Sequence, residues 1–381
     1  MKERTKIYFT IVGLLALTGV FYAANPAPFA SNQPLASNYN PTLALNFASG
    51  DQPGGFQPLQ VDANFSWVGG TVAGWNSPGN WSPLGPPGVG DTALFDGAFI
   101  NQPNLTTGAT VGALHMATGV IQDVTLSANP GAVLNISALS LLGTGILVDN
   151  TNAVTLTITA SLGVNNSQAW TNNSGNLFTV SAANISLGGN AVTVNGTGNA
   201  LISGIISGLG SVSDLIKDGG GTLTLTATNT YSGGTTAIGG TLLVNNTSGS
   251  GTGTGAVTVS DNGTTLGGTG IISGPVTVFA GANIAPGNGG NNTGTLQTGA
   301  LTLSPTANFR VDINGTTTGT FDQIQVNTGG VAILNSVLAV TVGTTLSVGQ
   351  TFTILINNSA DPITGTFAGI PEGGTVAGSN G

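Results

Sequence analysis

The sequence predicts an all-β solenoid, and three observations carry that reading. The first is composition: 62 of 381 residues are glycine, 5% are charged, 6% are aromatic and none is cysteine, far from a globular average. The second is patterning. Short runs of Val, Ile, Leu and Thr alternate with Gly, Asn and Ser over distances too short for an intervening helix. The third is recurrence. Glycine launches an apolar run at Gly221, Gly240, Gly255, Gly274 and Gly299, in steps of 19, 15, 19 and 25 residues. That is the scale of one solenoid coil and about half that of a propeller blade. Collagen is excluded because the glycines keep no triplet period. Disorder is excluded because disordered chains are poor in the β-branched residues that abound here.

Taken in order, residues 1–24 read as an export signal: Lys2, Arg4 and Lys6 precede an uncharged apolar run from Ile7 to Ala24. Cleavage near Ala23–Ala27 is the favoured reading and an uncleaved anchor the alternative, since about 18 apolar residues is the lower limit for a span. With basic residues on the short N-terminal side, both readings place the body of the protein outside the cytoplasm. Residues 25–60, rich in Pro, Asn, Gln and Ser, read as a poorly ordered linker. Residues 61–104 hold Trp67, Trp75 and Trp81 among glycine and proline turns. They read as a cap that plugs the open first coil, with a sugar-stacking platform as the alternative. Asp91 and Asp96 flank the run Thr92–Phe95 and are expected to form the turns at its ends.

Residues 105–370 are expected to form the stacked body. Candidate strands are Leu114–Met116, Val124–Leu126, Val133–Ile136, Ile146–Val148, Val154–Ile158, Phe178–Val180, Ile185–Leu187 and Val192–Val194. Lys217–Asn246 reads as one coil, with strands Thr222–Leu225 and Thr241–Val244 joined by a turn-rich bridge from Asn229 to Thr236. Asn262-Gly263 and Asn314-Gly315 are candidates for local hairpin turns. Asn residues beside the strands suit tight bends and side-chain ladders. Residues 371–381 form a glycine-rich end, read as a truncation or an unusual terminus, because an uncapped solenoid leaves an edge and apolar core open.

Residues 216–246 resemble the autotransporter-associated β-strand repeat, also called the passenger-associated transport repeat. The likeness rests on Lys217, Gly219-Gly220-Gly221, Leu223, Leu225, Asn229-Thr230-Tyr231, Gly233-Gly234-Thr235-Thr236, Gly240, Leu242 and Val244. Leu266–Gly270, Ile284–Asn288 and Phe321–Ile324 are similar to the segments C-terminal to that repeat in such proteins. The tryptophan segment is similar to the N-terminal part of exported proteins that carry it. The resemblance extends over most of residues 62–370 and is specific at 216–246 and 263–288. It implies a right-handed parallel β-helix exported to the bacterial surface or medium, with outer-membrane export machinery as a partner. It brings no catalytic residues. One full copy of the repeat is evident, and no run of alternating segments reads as a membrane barrel.

Charge removes several functions. Five basic residues face 14 acidic ones, and loss of the leader would leave Lys217 and Arg310 against thirteen acids, near −11. Nucleic acids and acidic lipid surfaces both require cations that are missing. Without cysteine there is no disulfide framework, thiol chemistry or Cys-ligated zinc. His115 is the one histidine, too few for a metal cluster or a histidine relay, and it reads as a strand residue. Carboxylate pairs Asp214/Asp218 and Asp312/Asp322, with Glu372 and the cations Lys217 and Arg310, are the material for a polysaccharide lyase or hydrolase. The aspartates read more simply as bend residues. Gly219–Gly221 lacks the Gly-Lys-Ser/Thr of a phosphate loop, and the calcium-binding nonapeptide is absent. The expectation is a non-enzymatic exported scaffold with no catalytic, cofactor or metal site, or else an adhesin for extracellular glycans or matrix through the Trp67/Trp75/Trp81 region. Membrane contact is confined to residues 1–24 if they remain uncleaved.

Overall fold

The computed structural model describes residues 63–70, 74–138, 144–290, 292–347, 349–371, 373–374 and 379–380, all within the unit Pro41–Gly381. The expected leader, the linker and Glu372 lie outside the described residues.

The chain forms a parallel β-helix. One face is a 14-stranded sheet and a second face a 12-stranded sheet, each taking one strand from nearly every coil. The first sheet runs from Trp81–Ser82 and Asn64–Trp67 through Thr92–Phe95 to Ile363–Thr366. Every named pairing is parallel except the one between Asn64–Trp67 and Trp81–Ser82. The third side is discontinuous. Five strands from Ala109–Val111 to Ile205–Ser207 form one sheet, and Thr295–Thr298, Gln323–Val326 and Leu355–Asn357 form another. Between the two, the coils spanning residues 215–268 contribute no strand to either.

Alternation produces this stack. In Val257–Val259 and Val276–Val278 both valines are buried and the central threonine faces outward. Register keeps like over like: Val257 pairs with Val276, Thr258 with Thr277 and Val259 with Val278. A slip of one residue would turn every inward valine to solvent, so burial itself fixes the register. The core is a continuous apolar column, including Leu134, Leu162, Ile185, Leu223, Leu242, Leu266 and Ile284, each no more than 1% exposed.

Four expectations are corrected. The recurring glycine-launched runs are not one series. Thr222–Leu225 and Thr241–Val244 lie in the second sheet, whereas Val257–Val259, Val276–Val278 and Leu301–Leu303 lie in the first. Each coil carries a strand on both long faces, and the 15-residue step from Gly240 to Gly255 is the one that crosses from the second face to the first. Lys217–Asn246 is therefore more than a single coil, since Thr222–Leu225 and Thr241–Val244 are neighbours on successive coils. The supposed turn-rich bridge contains a strand, Thr235–Ala237. It was hidden because inward-facing Thr235 is polar; its hydroxyl lies 2.6 Å from that of Tyr231, which satisfies it inside the core. Asn262-Gly263 joins strands of the two long sheets and makes no hairpin. Asn314-Gly315 sits in a short antiparallel loop, with an isolated bridge between Ile313 and Phe321.

The tryptophan segment closes the N-terminal end. Trp67, Trp75 and Trp81 are each 2% exposed or less, with ring centroids 4.7–6.4 Å apart. Trp81 Nε1 donates to Trp75 O at 2.6 Å and Trp67 Nε1 to Asn101 O at 2.8 Å. The antiparallel strand Trp81–Ser82 covers the edge of the first sheet, and Trp75 N donates to Asn104 O at the edge of the second. Covered edges remove the template for unwanted strand addition.

Candidate functional site

The most elaborated polar constellation lies where the third side is interrupted. After Ile205–Ser207 the chain needs partners for backbone groups that a further strand would have satisfied. Side-chain amides supply them. Asn229 Oδ1 accepts from Ile206 N at 2.8 Å, and Asn229 Nδ2 donates to Gly251 O at 2.6 Å. Its own backbone N–H reaches Ser250 O at 2.8 Å. One coil on, Asn246 Oδ1 accepts from Ile271 N at 2.9 Å. Both asparagines are 3% exposed. The apolar volume of the missing strand is taken by Tyr231, which is fully buried. Burial pushes its hydroxyl well above the usual tyrosine range, so it remains a neutral partner for Thr235.

The adjoining corner is built from glycine and one lysine. Gly219 and Gly240 take φ values of +69° and +62°, which glycine alone adopts without strain. A Cβ on Gly219 would lie 2.5 Å from Gly196 O on the coil below. The tight corner turns carbonyls inward, and Lys217 Nζ donates to Asp218 O, Gly219 O and Gly239 O at 2.6, 2.8 and 3.0 Å. Lys217 is 2% exposed. Desolvation lowers its pKa to about 8, partly opposed by the Asp218 charge, so the ammonium holds all three carbonyls at neutral pH. Because Gly239 belongs to the next coil, this lysine staples two coils together.

The other residues singled out from the sequence fall into structural positions. Asp214 accepts from Gly234 N on the next coil at 2.7 Å, a coil-to-coil tie, and Asp218 accepts from Gly219 N at 2.6 Å, within its own bend. Asp91 accepts from Gly88 N at 2.8 Å, and Asp96 from the hydroxyl of Ser66 at 3.1 Å. His115 Nε2 lies 3.3 Å from Asp149 Oδ2 on the outer face of the first sheet. Arg310 is exposed and faces outward. Asp312 and Asp322 do meet: Asp322, 1% exposed, accepts from Asp312 N and Gly294 N, both at 2.9 Å. Burial raises its pKa to about 7, against the pull of those two donors and with help from the Asp312 charge. The three indoles offer no ring face for sugar stacking, which corrects the platform expected of Trp67, Trp75 and Trp81. Among the described residues no group of three or more His, Cys, Asp or Glu could hold a metal ion, and no helix is long and apolar enough to cross a membrane.

Such a constellation holds coils together and defines a coil-stacking element of a parallel β-helix. Residues 215–244 match the model of the passenger-associated transport repeat. Over 217 residues, 53% of this chain, the sequence is 32% identical to the autotransporter adhesin BmaC of Brucella suis biovar 1 (strain 1330), and the match spans 6% of that protein's length. No solved structure matches the chain. The chain thus carries a passenger-associated transport repeat, seated where the β-helix changes its cross-section.

Proposed function

We propose that this protein is an exported, non-enzymatic β-helical scaffold, a passenger or stalk-like element of the bacterial surface or medium. Residues 1–24 act as the export signal, and outer-membrane export machinery is the partner in transit. The observation that carries the reading is the amide-and-lysine joint at 215–268. It devotes buried polar side chains to continuing the stack, so each coil templates the next without disulfides or metals. The carboxylates Asp214 and Asp218, each engaged with a backbone N–H, support structure over polysaccharide cleavage. Protease treatment of intact cells tests the proposal. Digestion of the chain on unbroken cells, or its recovery from the medium, is the expected result; full protection until the cells are lysed would overturn it.

Adhesion is a second reading, favoured by the relative's name, an adhesin. With the indoles buried, the surface we assign to glycan or matrix contact is the outer face of the first sheet. There Thr236, Thr258, Thr277 and Thr302 stand in register on four successive strands. A glycan and matrix array probed with the whole chain should show binding that Thr258→Lys/Thr277→Lys abolishes. Binding unchanged by that variant removes this face.

A further inference from the structure

The peptide bond between Asp361 and Pro362 is placed for chemistry that the scaffold reading does not use. It lies in the connection from Leu355–Asn357 on the third side to Ile363–Thr366 in the first sheet. Two side chains converge on the carbonyl oxygen of Asp361: Asn357 Nδ2 donates at 2.6 Å and the Ser359 Oγ lies 3.3 Å away. Ser359 is itself fixed, its N and Oγ donating to Asn357 Oδ1 at 3.1 and 2.7 Å. The backbone N–H of Asp361 in turn donates to Ser359 Oγ at 3.2 Å. Downstream, Pro362 O is held by Val331 N at 3.2 Å. Asp361 and Pro362 are both exposed, open to water and protons.

The same turn occurs at Asn172–Ser174–Asn176, where Asn172 Nδ2 and Ser174 Oγ converge on Asn176 O at 2.8 and 3.3 Å. That copy, with Asn176 followed by Leu177, lacks both a carboxylate and a proline and serves the fold alone. At residue 361 the turn polarises the carbonyl of an aspartyl–prolyl bond. A carboxylate can reach its own carbonyl carbon through a five-membered ring, and such intramolecular attack has a very high effective concentration. Proline lacks an N–H and forms a tertiary amide. Donors aimed at a carbonyl oxygen stabilise the charge that develops there during addition.

We propose that Asp361–Pro362 is a self-processing site, cut by the protein's own aspartate in mildly acidic surroundings. A carboxylate oxygen of Asp361 attacks its main-chain carbonyl carbon, and the oxyanion is held by Asn357 Nδ2 and by the Ser359 hydroxyl, which turns its one proton from Asn357 Oδ1 to the developing charge. The C–N bond to Pro362 breaks as its nitrogen takes a proton from solvent. Water then opens the cyclic anhydride, regenerating the Asp361 carboxyl beside a new C-terminal carboxyl. The net reaction is hydrolysis of one peptide bond, with no oxidation or reduction. It separates residues 1–361 from the chain beginning at Pro362.

Intact-mass measurement on the full chain tests the proposal, with samples held at about pH 4, in the mildly acidic range where carboxyl groups titrate, either folded or unfolded in urea. The folded chain should yield a fragment starting at Pro362 at least about tenfold faster than the unfolded chain, in line with the rate attributable to oxyanion donors. Asp361→Asn and Pro362→Ala should each abolish the cut. Asn357→Ala and Ser359→Ala should slow the folded chain toward the unfolded rate and leave the unfolded rate unchanged. A folded chain cut no faster than the unfolded one overturns the proposal, because the turn then contributes nothing beyond ordinary acid lability. So does folded-state cleavage that persists at full rate in both donor variants.

Discussion

Residues 92–207 and residues 215–268 stack coil upon coil in the same way on two faces and differ on the third. In the first region the third side is a sheet of five short strands whose backbones satisfy one another. In the second, Asn229 and Asn246 bridge from side chain to backbone, Tyr231 fills the space of a strand, and Lys217 gathers the corner carbonyls. A strand asks only for inward apolar residues of suitable size, which many sequences provide. A side-chain bridge asks for one donor and one acceptor at a fixed place. Strand-built coils leave little sequence signature, whereas the joint carries a recognisable motif, and it is there, at 215–244, that the family model matches.

Substitutions should expose this difference. The largest effect is expected at Tyr231. Tyr231→Ala should lower the unfolding free energy by about 3–5 kcal/mol, the cost of emptying a buried aromatic site. Tyr231→Phe keeps the volume, loses the bond to Thr235 and should cost about 1 kcal/mol. Urea unfolding midpoints distinguish them; equal losses would mean that the hydroxyl pair, rather than the ring, carries the site. Next, Asn229→Ala strands the Ile206 N–H and the Gly251 carbonyl and should cost about 2–3 kcal/mol. Asn229→Asp should be no better than alanine, because it sets an acceptor against the Gly251 carbonyl. A milder cost for aspartate would break the side-chain-bridge account.

Two buried ionisable groups give the joint and its C-terminal flank opposite pH responses. Native Lys217 releases its proton near pH 8 and an unfolded lysine near 10.5. Between those values the unfolded chain holds more protons, so stability should rise with pH. Lys217→Met should remove that rise, as read from urea midpoints across the window. Native Asp322 keeps its proton to about pH 7 and an unfolded aspartate only to about 3.8. The native state then holds more protons, so stability should fall as pH climbs through that window, and Asp322→Asn should flatten the decline. The smallest effect belongs to the strand-built region. Leu162→Met, a volume-conserving change at a buried position, should cost less than about 1.5 kcal/mol. A larger loss would show that the regular coils are packed as exactingly as the joint.

Legibility followed the same divide. Val133–Ile136, Phe178–Val180 and Val192–Asn195 were readable from alternation. Gln168–Asn172 and Thr235–Ala237 were hidden, because their inward positions include Gln168, Asn172 and Thr235. Such residues are tolerated inside only through partners that the linear sequence does not reveal. Gln168 Nε2, for example, donates to Ile136 O on the preceding coil at 3.2 Å. The meeting of Asp312 with Asp322 and the reach of Lys217 to Gly239 likewise join groups 10 and 22 residues apart.

By itself the sequence determined the all-β class, the coil-sized spacing, the presence of the repeat and the exclusion of charge- and thiol-based functions. Those properties derive from composition and from a side-chain period of two, both of which are local. Only the tertiary structure decided that the glycine-launched runs divide between two faces, that the bridge before Ala237 holds a strand, and that the repeat marks the loss of the third strand. These depend on which residue of one coil stands over which residue of the next. Burial and hydrogen-bond satisfaction settle that register across the stack, and neither can be computed along a single strand.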